Sequence, residues 1–393
     1  MKKKIHAITQ ILTSEVLPEI GLLTGIGGQI LFCNELGAHK EISQDWLSRL
    51  HNVLEEKLSN EDFAFTHCDG LAGIGWLYEY LSQRKMIDYN TNLLLEEFDN
   101  ALKKALKGFM LENDYEFLYG GVGIASYFIR RATKKKELIY ILNQFLEDLE
   151  KSSTRQENGG IKWISSLGDH EPKWGYNLSL SHGMASIVSI LSKIYKIEGV
   201  NKIKTKKLLH GAVQYILAQE IVKEIHGSYF PNYALESTST IYKSRLAWCY
   251  GDLGIASALF QAGTVLKENA WIDKALEIFL FTATQRRSLE DNNILDAGLC
   301  HGASGIGHIF YRMWWNTKLP EFKDAADYWF DQTLKMAKFE DGLAGFKTYR
   351  IQEDKPVWLN EYGLLGGITG IGLALLTYYY ETEPTWDECL LLC

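Results

Sequence analysis

The sequence predicts an all-α protein of seven helical hairpins with short β-like insertions. Three observations carry that prediction. A glycine-rich phrase recurs seven times, apolar stripes at helical spacing run between the copies, and only 6 of 393 residues are proline.

The phrase is glycine-rich and then apolar. Its first three copies are Gly21-Leu-Leu-Thr-Gly25-Ile-Gly27, Gly70-Leu-Ala-Gly73-Ile-Gly75 and Gly120-Gly-Val-Gly123-Ile-Ala125. Gly183-Met-Ala-Ser186-Ile, Gly251-Asp-Leu-Gly254-Ile-Ala256, Gly302-Ala-Ser-Gly305-Ile-Gly307 and Gly367-Ile-Thr-Gly370-Ile-Gly372 complete the set. The fourth positions (25, 73, 123, 186, 254, 305 and 370) recur at the spacing of a supersecondary repeat. Each copy leads into an apolar or aromatic run, as at Trp76-Leu77-Tyr78 and Tyr127-Phe128-Ile129. Small residues in such a run let one helix lie close against the next.

Between copies the pattern changes to amphipathic. Trp46, Leu47, Leu50, Val53 and Leu54 form one apolar stripe, and Leu138, Ile141, Leu142, Phe145 and Leu149 another. Each hairpin therefore pairs an outer amphipathic helix with an inner, almost wholly apolar one. The period alone is compatible with a closed ring or an open superhelix. Three repeats carry extra residues rich in Gly, Asn, Pro and aromatics, near 154–177, 223–246 and 339–360, expected to form flaps at one end. The repeats override the two or three domains that length would suggest, so residues 1–393 read as one domain.

Net charge is −8, from 41 basic and 49 acidic residues, which argues against a nucleic-acid partner. The short lysine runs read as solvated helix ends. No stretch is apolar enough to span a bilayer. Thr9, Gln10, Thr13, Ser14 and Glu15 interrupt any signal-like segment. Six cysteines are too sparse for a disulfide framework. A cytoplasmic location is expected.

The chemistry concentrates in the two residues before each phrase. They are Ile20-Gly21, Cys68-Asp69, Leu118-Tyr119, Ser181-His182, Cys249-Tyr250, Cys300-His301 and Leu365-Gly366. Equivalent positions of a ring or tight superhelix converge, so Cys249, Cys300, His301, His182 and Tyr250 are candidates for one cluster. Two thiolates and one imidazole make a three-ligand set for Zn²⁺ with a fourth position open, the pattern of a catalytic zinc. Each residue also has a bland reading: free cysteine is often simply buried, and Tyr250 suits a core. Cys68, beside Asp69, reads as core or as a supporting group.

At Arg245-Leu-Ala-Trp-Cys249-Tyr-Gly251 and Cys300-His301-Gly302 the sequence resembles the lanthionine synthetase C family, the lantibiotic cyclases. Leu178-Ser-Leu-Ser181-His182-Gly183 is similar to the family's histidine motif, and the seven phrases extend the resemblance over essentially the whole chain. The resemblance implies an α/α toroid of seven inner and seven outer helices. It implies zinc held by Cys249, Cys300 and His301, with acid–base work near His182, Arg245 and Tyr250. The family's supporting Asp aligns with Glu116 here, and Asp114 lies two residues upstream.

The implied reaction is addition of a peptide cysteine thiol to dehydroalanine or dehydrobutyrine, which closes a thioether ring. Arg245 is expected to stabilise the enolate, and His182, oriented by Glu116 or Asp114, to deliver the proton. The partner implied is a dehydrated precursor peptide with leader and core. A separate dehydratase and an exporter would accompany it, and through them the chain would sit at the inner face of the membrane. Three other readings compete. A relative could add glutathione or another small thiol, and a non-catalytic toroid could only bind peptide. A prenyltransferase-like toroid would need Lys and Arg clustered in register, and none are.

Overall fold

A computed structural model describes residues 1–39, 42–167, 173–235, 241 and 244–392. Parts of the first two expected flaps, at 168–172, 236–240 and 242–243, lie outside the described residues. The chain is mostly helical. Seven glycine-headed helices are Ile26–Gly37, Leu71–Gln83, Gly121–Ala132, Met184–Lys196, Asp252–Leu266, Ala303–Thr317 and Ile368–Tyr379. They are buried nearly all round, as their unbroken apolar runs require. Seven amphipathic helices bury one stripe each: Lys2–Leu12, Gln44–Asn60, Glu96–Leu111, Ile139–Lys151, Lys202–Leu217, Asn269–Gln285 and Pro320–Lys335. In the second of these, Leu47, Leu50 and Leu54 face inward and the Ser43 hydroxyl caps the first turn.

The glycine-headed helices have no side-chain cap. In five of the seven, the loop in front folds back and a backbone carbonyl does the work instead. Ile26 N donates to Glu19 O at 2.7 Å, Leu71 N to Ala64 O at 2.9 Å and Ile368 N to Glu361 O at 3.0 Å. This satisfies orphan donors of the first turn, and it is why glycine recurs. A methyl placed on Gly305 would stand 1.8 Å from the Leu299 carbonyl oxygen.

The first copy sits three residues later than the sequence reading placed it. Its helix is capped by Gly25, so the two residues before the cap are Leu23-Thr24 rather than Ile20-Gly21, and the fourth-position glycine is Gly28. The run Gly21-x-x-x-Gly25-x-Gly27-Gly28 fits either register by composition. Backbone pairing decides it.

That pairing links one loop to the next along the chain. Leu23 N donates to Cys68 O, Cys68 N to Leu118 O, Ser181 N to Cys249 O, Cys249 N to Cys300 O and Cys300 N to Leu365 O. Leu364 N and Leu365 N then both reach Leu23 O. The last glycine-headed helix also packs on the first. The loops thus lie together at one end, with the first and seventh repeats adjoining.

The expected flaps contain strands. Thr154–Arg155 pairs with Ile161–Lys162, and Thr348–Gln352 forms a hairpin with Lys355–Leu359. Trp174–Asn177 lies between Ser165–Ser166 and Tyr233–Ala234, so the first two flaps share one sheet.

Candidate metal centre and acid–base site

Cys249, Cys300 and His301 stand at the caps of the fifth and sixth glycine-headed helices. Their ligand atoms all lie within 4.8 Å of one another. A tetrahedron with Zn–S bonds of about 2.3 Å has sulfur–sulfur edges of roughly 3.8 Å, so this donor set fits zinc with small adjustment. Cys249 is buried, and Cys300 and His301 are half-buried. The backbone holds the ligands in place: the amides of Trp248 and Cys249 both donate to Cys300 O at 3.2 Å. Ser181 Oγ donates to Cys249 O at 3.2 Å.

The two sulfurs share a proton unequally. A hydrogen bond from Cys300, with help from His301 and Arg245, holds the Cys249 thiol well below its ordinary value despite burial. Cys300 is pushed up by Cys249 and by burial. A pair primed in this way suits a cation that takes both as thiolates.

His182 lies at the cap of the fourth helix. Its Nδ1 is 2.5 Å from Glu116 Oε1. Glu116 also accepts the amides of Leu118, at 2.9 Å, and of Tyr119. Burial alone would pull the His182 pKa down. The Glu116 hydrogen bond and charge, together with Cys249, outweigh it, and the value stands above the ordinary 6.5. The His182 and Tyr250 rings are 5.8 Å apart. Tyr250 is kept protonated by burial and by Tyr233, and Asn177 Nδ2 donates to its oxygen at 3.2 Å.

Glu116, not Asp114, meets the imidazole. Asp114 Oδ1 instead takes the Glu116 amide at 3.3 Å. The physical reason lies in its register. Six residues before each cap stand Glu19, Ala64, Asp114, Asn177, Arg245, Asp296 and Glu361. At Asn177 and Asp296 the side chain likewise closes a turn on the amide two residues on. Asp114 shapes the turn that presents Glu116.

Arg245 belongs to the same column. It is half-buried, donates to Asn293 O at 3.3 Å and lines a cleft of about 380 Å³ with Tyr233 and Tyr250. Reading only the two residues before each phrase missed Asn177. It also missed Glu361, which pairs at 2.8 Å with Arg350, a second guanidinium acting on Cys300. The signal was available, since the column is polar in six of seven copies. Cys68 is fully buried and hydrogen-bonded with Tyr119.

The family model described as lanthionine synthetase C-like protein matches residues 18–391. The nisin biosynthesis protein NisC of Lactococcus lactis subsp. lactis is 26% identical over 412 residues, covering 95% of this chain and 89% of NisC. The solved structure of a nisin cyclase shares the fold, with a TM-score of 0.76 at 22% identity, covering 100% of this chain and 98% of that one. This chain belongs to the lanthionine synthetase C-like family.

Proposed function

We propose that this chain is a zinc-dependent cyclase that closes (methyl)lanthionine rings in a dehydrated precursor peptide. Residues 1–393 act as one domain, an α/α toroid of seven inner and seven outer helices with the flaps around one mouth. One observation carries the reading: Cys249, Cys300 and His301 converge beside a Glu116–His182 pair. Zinc held by those three residues would act as a Lewis acid, drawing a substrate thiol of pKa about 8.5 to thiolate at neutral pH.

The remaining steps fall to side chains. Attack of sulfur on the β-carbon moves the double-bond electrons onto the neighbouring carbonyl, and Arg245 faces that developing charge. His182 returns a proton to the α-carbon, so the thiol adds across the double bond with no atom lost. Glu116 accepts from Nδ1–H, which leaves Nε2 as the atom that carries the moving proton. Asp114 keeps Glu116 in position, and Tyr250 supplies a further hydrogen bond. A separate dehydratase supplies the dehydroamino acids and an exporter takes the product. The chain works in the cytoplasm, held at the membrane's inner face by those partners. No helix among the described residues is long and apolar enough to cross a membrane.

The test is zinc content with ring closure. A dehydrated precursor peptide is incubated with the protein, and free thiols are counted by alkylation and mass spectrometry, because cyclisation itself leaves mass unchanged. Expected are about one zinc per chain and thiols that disappear with time. Peptide that binds but stays fully alkylatable would sink the enzyme reading in favour of a scaffold.

A further inference from the structure

The segment that follows the last glycine-headed helix is buried among the helices. Thr385–Leu390 forms a short 3₁₀ helix, and Trp386, Asp387, Cys389, Leu390, Leu391 and Leu392 are buried. Groups from six repeats hold it. Tyr80 Oη lies 3.0 Å from Thr385 Oγ1, Arg130 pairs with Glu388, and Lys193 lies 4.0 Å from the same carboxylate. Gln261 donates to Leu391 O at 2.7 Å. His308 Nε2 and Arg312 Nη2 bind Asp387 at 2.9 and 2.6 Å, and the Trp386 indole donates to Thr377 Oγ1 at 2.8 Å. Most of these partners lie about ten residues beyond their caps, far from the loops. The segment therefore enters the middle of the helices from the end opposite the site.

Its deepest residues reach the loops themselves. Three residues before each cap the side chains form one buried layer: Leu22, His67, Phe117, Leu180, Trp248, Leu299 and Leu364. Two of them carry ring N–H groups that an aliphatic layer could not satisfy. His67 Nε2 binds Cys389 O at 2.9 Å, and Trp248 Nε1 donates to Leu390 O at 2.9 Å. Trp248 directly precedes Cys249, and its own amide, like that of Cys249, is bound to Cys300 O.

We propose that the Thr385–Leu392 segment is the floor of the metal centre, and that Trp248, clamped to Leu390 O, is a positioning residue for Cys249 and Cys300. The inference rests on the reading of Cys249, Cys300 and His301 as zinc ligands. The clamp fixes the Trp248 ring from below while Cys300 O fixes its backbone from the side. The peptide that bears Cys249 is thereby held at both ends before any cation arrives. Groups that orient metal ligands typically change affinity 10–100-fold when lost.

The experiment compares zinc affinity by chelator competition in the full chain and in two variants. Trp248→Phe keeps the ring and deletes the donor to Leu390. Trp386→Phe deletes an equally buried indole donor in the same segment, away from the ligands, and controls for general loosening. Thermal unfolding of the zinc-free proteins monitors that loosening. Expected is zinc binding weakened about tenfold or more in Trp248→Phe and unchanged in Trp386→Phe, with similar small losses of stability in both. The sulfur-to-cobalt absorption of the Co²⁺ form should shift in Trp248→Phe alone. Equal affinity in wild type and Trp248→Phe, or equal losses in the two variants, overturns the clamp while leaving the metal reading intact. A wild-type chain that binds no zinc overturns both.

Discussion

Two junctions between neighbouring loops make an instructive pair. Between the fifth and sixth repeats, where the proposed metal ligands stand, the backbone is tied directly, with Trp248 N and Cys249 N on Cys300 O. Between the third and fourth, where the proposed acid–base pair stands, no loop-to-loop backbone hydrogen bond occurs among the described residues. Glu116 and His182 bridge that junction with their side chains, and the helices behind them pack together. The difference suits the two tasks. A metal site demands fixed ligand positions, which backbone bonds supply. A proton carrier must change its bonding at every turnover, which a carboxylate–imidazole contact permits.

Substitutions can break this comparison from either side. Cys300→Ala should have the largest effect, removing zinc and ring closure together, read by elemental analysis and by the alkylation assay. His182→Asn should leave zinc content unchanged and slow ring closure by about 10²-fold or more, the usual worth of a general acid. Loss of zinc in that variant would make His182 a ligand and dissolve the division of labour between the junctions.

Glu116→Gln should cost less, about tenfold, and should change the pH profile. The pKa of His182 is raised, so the protonated donor persists through neutrality and is lost as pH rises through the shifted value. Removing the anion should move that alkaline limb to lower pH. The contribution of the pair to stability has the same sense, present below the ordinary 6.5 and lost as pH rises through the folded-state value. A limb that stays in place in Glu116→Gln would assign it to another group. Asp114→Asn retains the Oδ1 acceptor of the turn, so its effect on rate should be smallest, about twofold or less. A Glu116-sized loss there would mean that Asp114 touches the imidazole in the working enzyme.

Much of this was legible because the signal is periodic. The glycines mark places where a returning carbonyl leaves no room for a Cβ, and that constraint repeats in each copy. Once the phrases are aligned, Cys249, Cys300, His301 and His182 fall into two adjacent columns, although Cys249 and Cys300 are 51 residues apart. The first copy was placed three residues early because its four glycines satisfy two alignments. Glu116 and Asp114 could not be separated until the structure showed which carboxylate reaches the imidazole. The floor was illegible for a different reason. Its partners, Tyr80, Arg130, His308 and Arg312 among them, are scattered over several glycine-headed helices. Each looks like an anomaly in an apolar run until a segment far away in the chain arrives to bind it.

The bond from Leu364 and Leu365 to Leu23 O also bears on how the molecule comes apart. In a linear repeat array each terminal unit has a single neighbour, frays first, and lets the rest melt in succession. With the first and last loops tied, there is no such end here, and unfolding has to begin by opening an internal seam. Among the described residues, the seam without a backbone tie is the third-to-fourth one. A change at His182, the proposed proton donor, is therefore felt twice, in the chemistry and as an unfastened clasp, whereas a change at Cys300 leaves its carbonyl still holding the loop next door.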